Sequence, residues 1–285
     1  MKIVVCVKQV GYIYHSLAID VKGAEIDPEK MVFMLNPYDE IAVEEAIRIK
    51  ERLSNCEVII ITTGSSKSEE ALRYSFAFGA DRMIRIEDQN FGCWSTAMVL
   101  AEVIKDLDYD LILCGKKSID TNGNNVASFL AELLDIPQVS GIVRLETLVQ
   151  EKKAIVDRYL GRGDREVVEC DLPALFTVEN GLNNPRYPSL PHRISAEKEK
   201  IEVLNLRSLG VNLDQEMDLT EFMSLSPPRP KPKKRFTPDS NLSAGERMRL
   251  IMSGGVSEKK SDLLEGKSED IADRIVEVLI QEKIL

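Results

Sequence analysis

The residues best suited to chemistry lie in the segment 114–128, which reads CGKKSIDTNGNNVAS. An apolar run ends at Cys114, Gly115 permits a turn, and small and amide residues lead toward a helix that begins near Asn125. Free backbone N–H groups and the positive dipole end at the start of a helix favour a phosphate or pyrophosphate. The Asn, Thr and Ser side chains add neutral donors. The segment is equally consistent with an anion or nucleotide site and with an ordinary capped loop.

Other catalytic or metal chemistry has little support in the sequence. Only His15 and His192 are present, far apart, so a histidine-based triad or metal site is not favoured. The five cysteines are an odd number without C-x-x-C spacing, which argues against a disulfide framework, a zinc site and an iron–sulfur cluster. Neither a Walker loop nor a G-x-G-x-x-G motif occurs. We expect no catalytic side chain and no bound metal.

Length and composition limit the class of protein. The 285 residues are 44% hydrophobic and 29% charged, which suits one large or two smaller domains with a packed core. A net charge of −10 argues against binding to nucleic acid. No apolar run reaches the roughly 18 residues of a membrane span, and the N-terminal apolar run lacks the cleavage site of a signal peptide. Together with the cysteine usage, this predicts a cytoplasmic protein.

Strands and helices alternate in the first half of the chain. Predicted strands cover residues 2–7, 58–63, 83–86 and 110–115, and predicted helices cover 39–52, 65–80, 95–107 and 125–134. Asp39 and Ser95 are the expected N-caps, and Gly79 is the expected stop. This alternation predicts an α/β fold, a Rossmann-like parallel sheet with helices on both faces and right-handed crossovers. Ligands bind at the carboxyl ends of such strands, which here are the loop after Val7, Thr63 with Gly64, and the segment after Gly115.

The second half of the chain has a different texture. The β-rich stretches 141–149, 152–160 and 165–178 are expected to extend or edge the sheet. The proline-rich stretch 183–191 should be extended and exposed. Residues 226–238 predict a stiff basic linker, which we interpret as solvated or laid on an acidic partner rather than as bound to nucleic acid. Two further helices are predicted at 243–252 and 268–283, so that the chain divides into an α/β domain and a C-terminal arm.

Four separated motifs resemble the beta subunit family of electron-transfer flavoproteins. They are NPYDEIAVEEAIRIKE at 36–51, GADR at 79–82, GKKSID at 115–120 and LNNPRYPSLP at 182–191. The resemblance implies a Rossmann-like nucleotide-binding domain over residues 1–225 that forms a heterodimer with an alpha subunit. Over residues 226–285 the resemblance is weak, but the extension looks like those of anaerobic, bifurcating relatives, and we expect its linker and helices to pack on the alpha subunit.

The resemblance places an adenine nucleotide at the ends of three strands and in the loops beside them. The candidate cofactor-binding residues are Cys6, Asn36, Pro37, Tyr38, Asp39, Thr63, Gly64, Gly115, Lys117, Ser118, Ile119, Asp120, Thr121, Asn122, Gly123, Asn124, Asn125, Val126, Ala127 and Ser128. Cys6 would lie against the adenine or be a plain core cysteine. Asn36 and Asp39 would hold the adenine or cap a helix. Asp120 would order the loop through backbone N–H groups rather than contact a phosphate.

Three departures from the family pattern bear on the cofactor. Lys117 replaces the usual Gln, Thr121 and Asn122 replace an acidic pair, and Val126 resembles the flavin-bifurcating members. Such members carry a second FAD where the housekeeping members carry AMP. Fewer carboxylates beside the phosphates also lower the repulsion that a diphosphate meets. We therefore expect FAD, with AMP as the alternative.

The expected function follows from that cofactor. A bifurcating subunit would pass electrons from NADH to ferredoxin and to the flavin of the alpha subunit in anaerobic metabolism, with the flavin supplying the redox chemistry. The first alternative is a housekeeping subunit with structural AMP that serves acyl-CoA dehydrogenases. The second is a nucleotide-binding stress or signalling protein of similar fold.

The partner-recognition loop is expected at residues 182–200. Its candidate docking residues are Pro185, Arg186, Tyr187 and Leu190. The resemblance makes Leu190 an apolar anchor for a flavoprotein dehydrogenase, whereas the alternative is a buried turn residue. The sequence HRISAEKEK replaces most of a basic run in members that serve acyl-CoA dehydrogenases. The partner is therefore expected to be a different flavoprotein dehydrogenase, for example one that acts on a 2-hydroxy acid, and a dehydrogenase of the acyl-CoA type is the other candidate.

Overall fold

The computed structural model describes residues 1–12, 31–87, 92–206, 238–239, 241–252, 266 and 268–281. The chain divides into two compact units, Met1–Pro227 and Pro228–Leu285. Apart from Pro238, the predicted basic linker lies outside the described residues. Within the described ranges, no helix is long and apolar enough to cross a lipid bilayer.

A nine-stranded sheet forms the centre of the first unit, in the order β11-β5-β4-β1-β6-β10-β7-β8-β9. Its strands are β1 (Lys2–Cys6), β4 (Glu57–Thr63), β5 (Arg82–Ile86), β6 (Leu111–Gly115), β7 (Gln138–Leu148), β8 (Lys153–Gly161), β9 (Asp164–Asp171), β10 (Ala174–Val178) and β11 (Glu202–Leu204). Strands β11 through β7 are parallel to their neighbours, whereas β7, β8 and β9 form an antiparallel meander. A separate antiparallel pair joins β2 (Gln9–Tyr12) to β3 (Val32–Leu35).

The helices of the two units are α1 (Pro37–Arg52), α2 (Glu69–Phe76), α3 (Cys93–Ile104), α4 (Val126–Leu133), α5 (Leu190–Lys198), α6 (Ala244–Met252) and α7 (Ser268–Gln281). Helices cover both faces of the sheet, and an apolar core lies on each face. Strand β1 contributes residues to both cores. Ile3 and Val5 pack with residues of α1 and α2, while Val4 packs with residues of α3 and α4. A parallel strand covered on both faces needs a continuous apolar run, which β1 has. The predicted Rossmann-like α/β fold with helices on both faces is confirmed, and its sheet is mostly parallel, with an antiparallel part at β7, β8 and β9.

Several predicted helix boundaries are wrong. Helix α1 begins at Pro37 with Asn36 in the N-cap position, so Asp39 lies inside the first turn and is not the cap. Proline suits the first position of a helix because its missing N–H would have no partner there. Ser95 lies inside α3, whose N-cap is Gly92. Helix α2 ends at Phe76, before the predicted stop at Gly79.

The second half of the first unit matches its predicted β-rich character. Strands β7, β8 and β9 extend the sheet, and β10 inserts between β6 and β7. The chain after Ser189 is not a continuing loop but the helix α5, whose N-cap oxygen accepts a hydrogen bond from the backbone N–H of His192. In the second unit, the helical patterns predicted at 243–252 and 268–283 correspond to α6 and α7 within the described residues.

Candidate functional site

The candidate site lies at the carboxyl edge of the parallel strands. Strand β1 runs between β4 and β6 in register, so that Cys6 pairs with Ile61 on one side and with Cys114 on the other. The loops that follow these three strands therefore leave the sheet at the same edge. Thr63 with Gly64 ends β4, and Gly115 ends β6. The structure thus brings together the strand ends that the sequence predicts for the site.

Asp39 joins two of these strand ends. Its carboxylate is buried, with Oδ2 accepting the backbone N–H of Lys8 at 2.8 Å and Oδ1 accepting that of Gly115 at 3.1 Å. Burial raises the pKa of Asp39 to about 7, and the hydrogen bonds from Asn36, Lys8 and Gly115 oppose that rise. The side chain predicted as a helix cap instead ties the ends of β1 and β6 together.

Gly115 is required by the close approach of α1. A Cβ atom on this residue would lie 2.2 Å from Oδ1 of Asp39 and 2.8 Å from Cβ of Tyr38. Neither distance is tolerable for non-bonded atoms, so any side chain here would displace the first turn of α1. The sequence predicts that Gly115 permits a turn. Its main role in the structure is to let β6 and α1 approach each other closely.

Asn36 holds the first half of the β6–α4 loop, residues 116–125. Its side chain is buried, with Nδ2 donating to the carbonyl of Lys117 at 2.9 Å and Oδ1 accepting the N–H of Ile119 at 3.3 Å. It makes no side-chain cap bond to α1. Beside it, the Lys117 ammonium lies 5.9 Å from the centroid of the Tyr38 ring, a cation–π distance. The loop is therefore fixed to the start of α1 by side-chain amide and ring contacts.

Asp120 in the loop is neutralised by Lys8, which follows β1. Nζ of Lys8 lies 2.8 Å from its Oδ2, and its Oδ1 accepts the N–H of Thr121 at 2.6 Å. Burial pushes the pKa of Asp120 upward, but the bonds from Lys8, Ser118 and Thr121 outweigh it and hold the pKa below its ordinary value. The ordering role expected for Asp120 is what these contacts give it. Lys8 is not among the predicted site residues, although a cation directly after a strand at this edge is a usable signal.

The second half of the β6–α4 loop is open. Residues 121–125 are exposed, and Asn122 has a φ of 55°, in the left-handed region. Helix α4 follows with no acidic residue in its first turn and no side-chain cap bond from Asn125. The first N–H groups of a helix have no partner within it. With the hydroxyls and amides around them, these donors fit a phosphate group of a nucleotide.

A cavity of about 270 Å³ adjoins the open half of the loop. Asn124 and Ser128 form one wall, and Gln138, Ser140 and Arg158 line it from β7 and β8. Its polar lining is neutral except for the guanidinium of Arg158. The polar surface of the loop therefore continues along the sheet.

Cys6 and Cys114 form the floor of this edge as neighbours on β1 and β6. The pKa of Cys114 is raised, first by a hydrogen bond with Cys6 and second by burial, and its thiol therefore stays protonated. Cys6 is half-buried and Cys114 is buried, so both serve as small packed side chains. Of the two roles foreseen for Cys6, packing is present, and contact with adenine stays a prediction.

The start of the recognition loop is fixed to α1. The guanidinium of Arg186 donates to both carboxylate oxygens of Glu44, at 2.9 and 3.1 Å, and to Glu51 at 2.5 and 2.9 Å. These hydrogen bonds raise the pKa of Arg186 above its ordinary value. Nδ2 of Asn183, a buried residue, donates to the carbonyl of Ile41 at 3.0 Å. Arg186 therefore positions the loop as well as standing among its candidate docking residues.

Beyond Arg186, the recognition loop presents apolar side chains to solvent. Tyr187 is 94% exposed, Leu190 70% and Ile194 50%. Leu190 and Ile194 lie one turn apart on α5, so they share one face of the helix. The alternative that Leu190 is a buried turn residue is wrong. Ile194 was missed, although its spacing from Leu190 would have identified it once a helix was assigned there.

Fold and site together define an α/β protein of Rossmann-like topology, with a polar loop and a fixed recognition loop set on one helix. A sequence model of the electron transfer flavoprotein domain matches residues 27–209. The electron transfer flavoprotein subunit beta of Bacillus subtilis is 36% identical over 240 residues, 82% of this chain and 92% of that protein. The chain therefore belongs to the electron transfer flavoprotein family, among its beta subunits.

Two further relatives extend the comparison. The subunit beta of Thermoanaerobacterium thermosaccharolyticum is 33% identical over 276 residues, 93% of this chain and 97% of that protein. The caffeyl-CoA reductase-Etf complex subunit CarD of Acetobacterium woodii is 35% identical over 236 residues, 80% of this chain and 88% of that protein. Family membership gives the chain a role in flavin-dependent electron transfer, and the stress or signalling alternative is not favoured.

Proposed function

We propose that this chain is the beta subunit of a flavin-bifurcating electron-transfer flavoprotein. It would work as a heterodimer with an alpha subunit, and its β6–α4 loop would hold FAD. The observation that carries the proposal is the open, carboxylate-poor half of that loop in front of α4. The name of the Acetobacterium woodii relative, which belongs to a reductase-Etf complex, is in keeping with it.

The charges around the loop favour a diphosphate over a monophosphate. The nearest carboxylate in the loop, Asp120, is paired with Lys8 at 2.8 Å. Thr121, Asn124 and Ser128 offer neutral donors, and the first turn of α4 carries no acid. Because like charges repel one another even across water, the local absence of free carboxylates favours binding of a diphosphate.

The cavity beside the loop supports a cofactor larger than AMP. It begins at Asn124 and Ser128, where the phosphates would lie, and continues to Arg158 on β8. Among the residues that the structure describes, the partly exposed guanidinium of Arg158 makes one ion pair, with Glu166 at 3.7 Å. A cation at that position is suited to the second phosphate or to the polar chain beyond it.

FAD held by this loop would supply the two-electron and one-electron redox chemistry that links NADH to ferredoxin and to the flavin of the alpha subunit. The residues of this chain would bind and orient it. Asn36 and Asp39 hold the loop in place, and the backbone N–H groups at the start of α4 carry the phosphates. No side chain of the site is required as a general acid or base.

The recognition loop would dock a flavoprotein dehydrogenase through Tyr187, Leu190 and Ile194. A transient electron-transfer contact is small, so a few apolar anchors carry most of its free energy. The dehydrogenase would act on a 2-hydroxy acid or an acyl-CoA. The sequence after Leu190 carries fewer cations than that of members serving acyl-CoA dehydrogenases, and this favours the 2-hydroxy acid.

The helices of residues 228–285 would pack on the alpha subunit. Met248 and Met252 on α6, and Ile275 on α7, are exposed within that unit. Apolar helix faces of this kind are stabilised by burial against another surface. Ending the chain at residue 227 is expected to weaken heterodimer assembly, measured by co-purification with the alpha subunit. Unchanged assembly would contradict this part of the proposal.

The bifurcating function is tested by coupled electron transfer in the purified heterodimer. NADH is expected to reduce ferredoxin only when a dehydrogenase and its acceptor substrate are present, because one electron of each pair must take the second route. Omitting the acceptor substrate is the control. Electron transfer to the dehydrogenase without any ferredoxin reduction would contradict bifurcation and would favour the housekeeping alternative with AMP.

A further inference from the structure

The C-terminal end of α5 is held by one arginine from α2. Nη1 of Arg73 donates to the carbonyl of Ala196 at 2.5 Å, to that of Glu197 at 3.1 Å and to that of Glu199 at 3.0 Å. The last carbonyls of a helix have no partners within it, and the negative dipole end there favours a cation. Arg73 therefore caps the docking helix from outside, across 123 residues of sequence.

Helix α5 has little else to order it. It has nine residues, of which only Ala196 is buried. Isolated helices of this length are marginal in water, and most helical stability in proteins comes from packing of an apolar face. The apolar residues of α5, Leu190 and Ile194, face solvent and cannot supply that packing. The order of α5 therefore depends on the contacts at its two ends.

Helix α2 provides a rigid origin for Arg73. Ala71 and Leu72 are buried in the core against the sheet. The buried Arg85 of β5 pairs with Glu69, in the first turn of α2, at 3.0 Å. The hydroxyl of Tyr74 donates to Glu40 of α1 at 2.9 Å. The guanidinium of Arg73 thus projects from an element that the core fixes.

The recognition loop is also fixed before α5, again by an arginine. Arg186 binds Glu44 and Glu51 of α1 through four hydrogen bonds of its guanidinium. The stretch 187–195 therefore lies between two fixed points. Arg186 binds α1 before it, and Arg73 of α2 binds the carbonyls that follow it. The three exposed apolar side chains of the recognition loop all lie on this stretch.

We infer that Arg73 is a positioning residue for partner docking, which holds α5 so that Leu190 and Ile194 meet the dehydrogenase in one preformed orientation. The inference rests on the proposed docking function of the recognition loop. Ordering a loop during association costs free energy that a preorganised loop has already spent. Loss of Arg73 should therefore weaken association with the dehydrogenase and leave electron transfer within the bound complex unchanged.

The test compares heterodimers that carry Arg73→Ala, Arg73→Lys and Arg144→Ala. Arg144 is the matched control, because it also makes ion pairs, with Glu146 at 2.9 Å and Asp157 at 3.7 Å, but lies on β7. Losing charge-assisted bonds to α5 should raise the KM for the flavoprotein as electron carrier about tenfold in Arg73→Ala, with kcat unchanged. Arg73→Lys, which keeps the cation, should recover part of this loss, and Arg144→Ala should leave KM unchanged.

Backbone hydrogen exchange supplies a second readout that does not depend on electron transfer. Residues 190–199 should exchange faster in Arg73→Ala than in the unmodified heterodimer, with the strands of the sheet unaffected. An unchanged exchange rate together with an unchanged KM would overturn the inference. If Arg73→Ala fails to assemble, Arg73→Gln replaces it, since glutamine is too short and uncharged to bind the three carbonyls, and the same outcomes decide.

Leu190→Ala separates failure of this inference from failure of the docking function. If Leu190→Ala raises KM while the Arg73 variants change neither KM nor exchange, only the role of Arg73 is wrong. If Leu190→Ala also leaves KM unchanged with each dehydrogenase that the complex serves, the docking function is wrong, and the inference about Arg73 fails with it.

Discussion

The β6–α4 loop and the recognition loop are built alike on the same helix. In each, the first part is fixed to α1 and is followed by exposed residues, which are 121–125 in one loop and 187–194 in the other; Arg73 of α2 holds the recognition loop again at residues 196–199. At the start of α1, Asn36 and Asp39 fix the β6–α4 loop. Glu44 and Glu51, further along α1, fix the recognition loop through Arg186. One helix thus serves as the base for both.

The open parts of the two loops differ in chemistry. Residues 121–125 offer amides, hydroxyls and backbone N–H groups, which suit a small anion. Residues 187–194 offer exposed apolar side chains, which suit a protein surface. Because the fixed parts carry the structure and the open parts carry the contacts, changes at the open parts should affect nucleotide and partner separately. Changes in the fixed parts should affect stability first.

The largest effect is expected from Gly115→Ala. The added Cβ would lie 2.2 Å from Oδ1 of Asp39, and overpacking of this kind costs about 3 kcal/mol. We expect the heterodimer to unfold at lower denaturant concentration and to lose nucleotide. Gly123→Ala in the open half is the matched control, since its Cβ would meet only Oγ1 of Thr121 at an ordinary 3.5 Å. Equal stability of the two variants would show that the fixed half is not rigid.

The next largest effect is expected from Asp39→Asn. An amide offers only one acceptor oxygen to the two N–H groups of Lys8 and Gly115, so one donor loses its partner at a cost of about 2 kcal/mol. The pKa of Asp39 is raised to about 7 in the folded chain. Its contribution to stability is therefore complete below the ordinary pKa of about 4 and is lost as pH rises through about 7.

Unfolding measured from pH 5 to pH 8 checks the sign of this dependence. The stability difference between the unmodified heterodimer and Asp39→Asn should shrink as pH rises. Asp120→Asn is the control, because the pKa of Asp120 is lowered and its contribution is lost only on acidification below its ordinary range. Its difference from the unmodified heterodimer should stay constant over the same interval. A constant difference for Asp39→Asn would mean that its carboxylate titrates normally.

Leu190→Ala should act on the partner and leave the nucleotide in place. Truncating an anchor leucine at an interface costs about 1–3 kcal/mol, so electron transfer with the dehydrogenase should slow at low flavoprotein concentration. Leu160→Ala changes another exposed leucine, on β8, and serves as the comparison. Loss of nucleotide from Leu190→Ala would show that the two loops are not independent.

The smallest effect is expected from Asn124→Asp. A carboxylate about 4 Å from a phosphate in water costs about 1 kcal/mol, so the cofactor should dissociate more readily. Folding should change little because residue 124 is exposed. Asn124→Ala separates the added charge from the lost amide. If the two variants bind nucleotide equally, the phosphates lie elsewhere.

The fold was predictable because its information is local. The continuous apolar run of β1 and the alternation of strand and helix patterns predict a parallel sheet covered on both faces. The role of Asp39 was not predictable from the sequence, because its hydrogen-bond donors Lys8 and Gly115 lie 31 and 76 residues away. Arg73 is a similar case, because a hydrogen bond across 123 residues leaves no local pattern. The loop 116–125 was found from its composition, whereas its division into a fixed and an open half required the contacts of Asn36.

The central claim, that the open half of the β6–α4 loop holds a diphosphate cofactor, is tested most directly by the nucleotides released when the purified heterodimer is denatured. Their identity and number per heterodimer can be measured by chromatography and mass spectrometry. The account predicts two FAD, one from each subunit. One FAD and one AMP would contradict it, leaving a role in electron transfer but removing the NADH and ferredoxin steps.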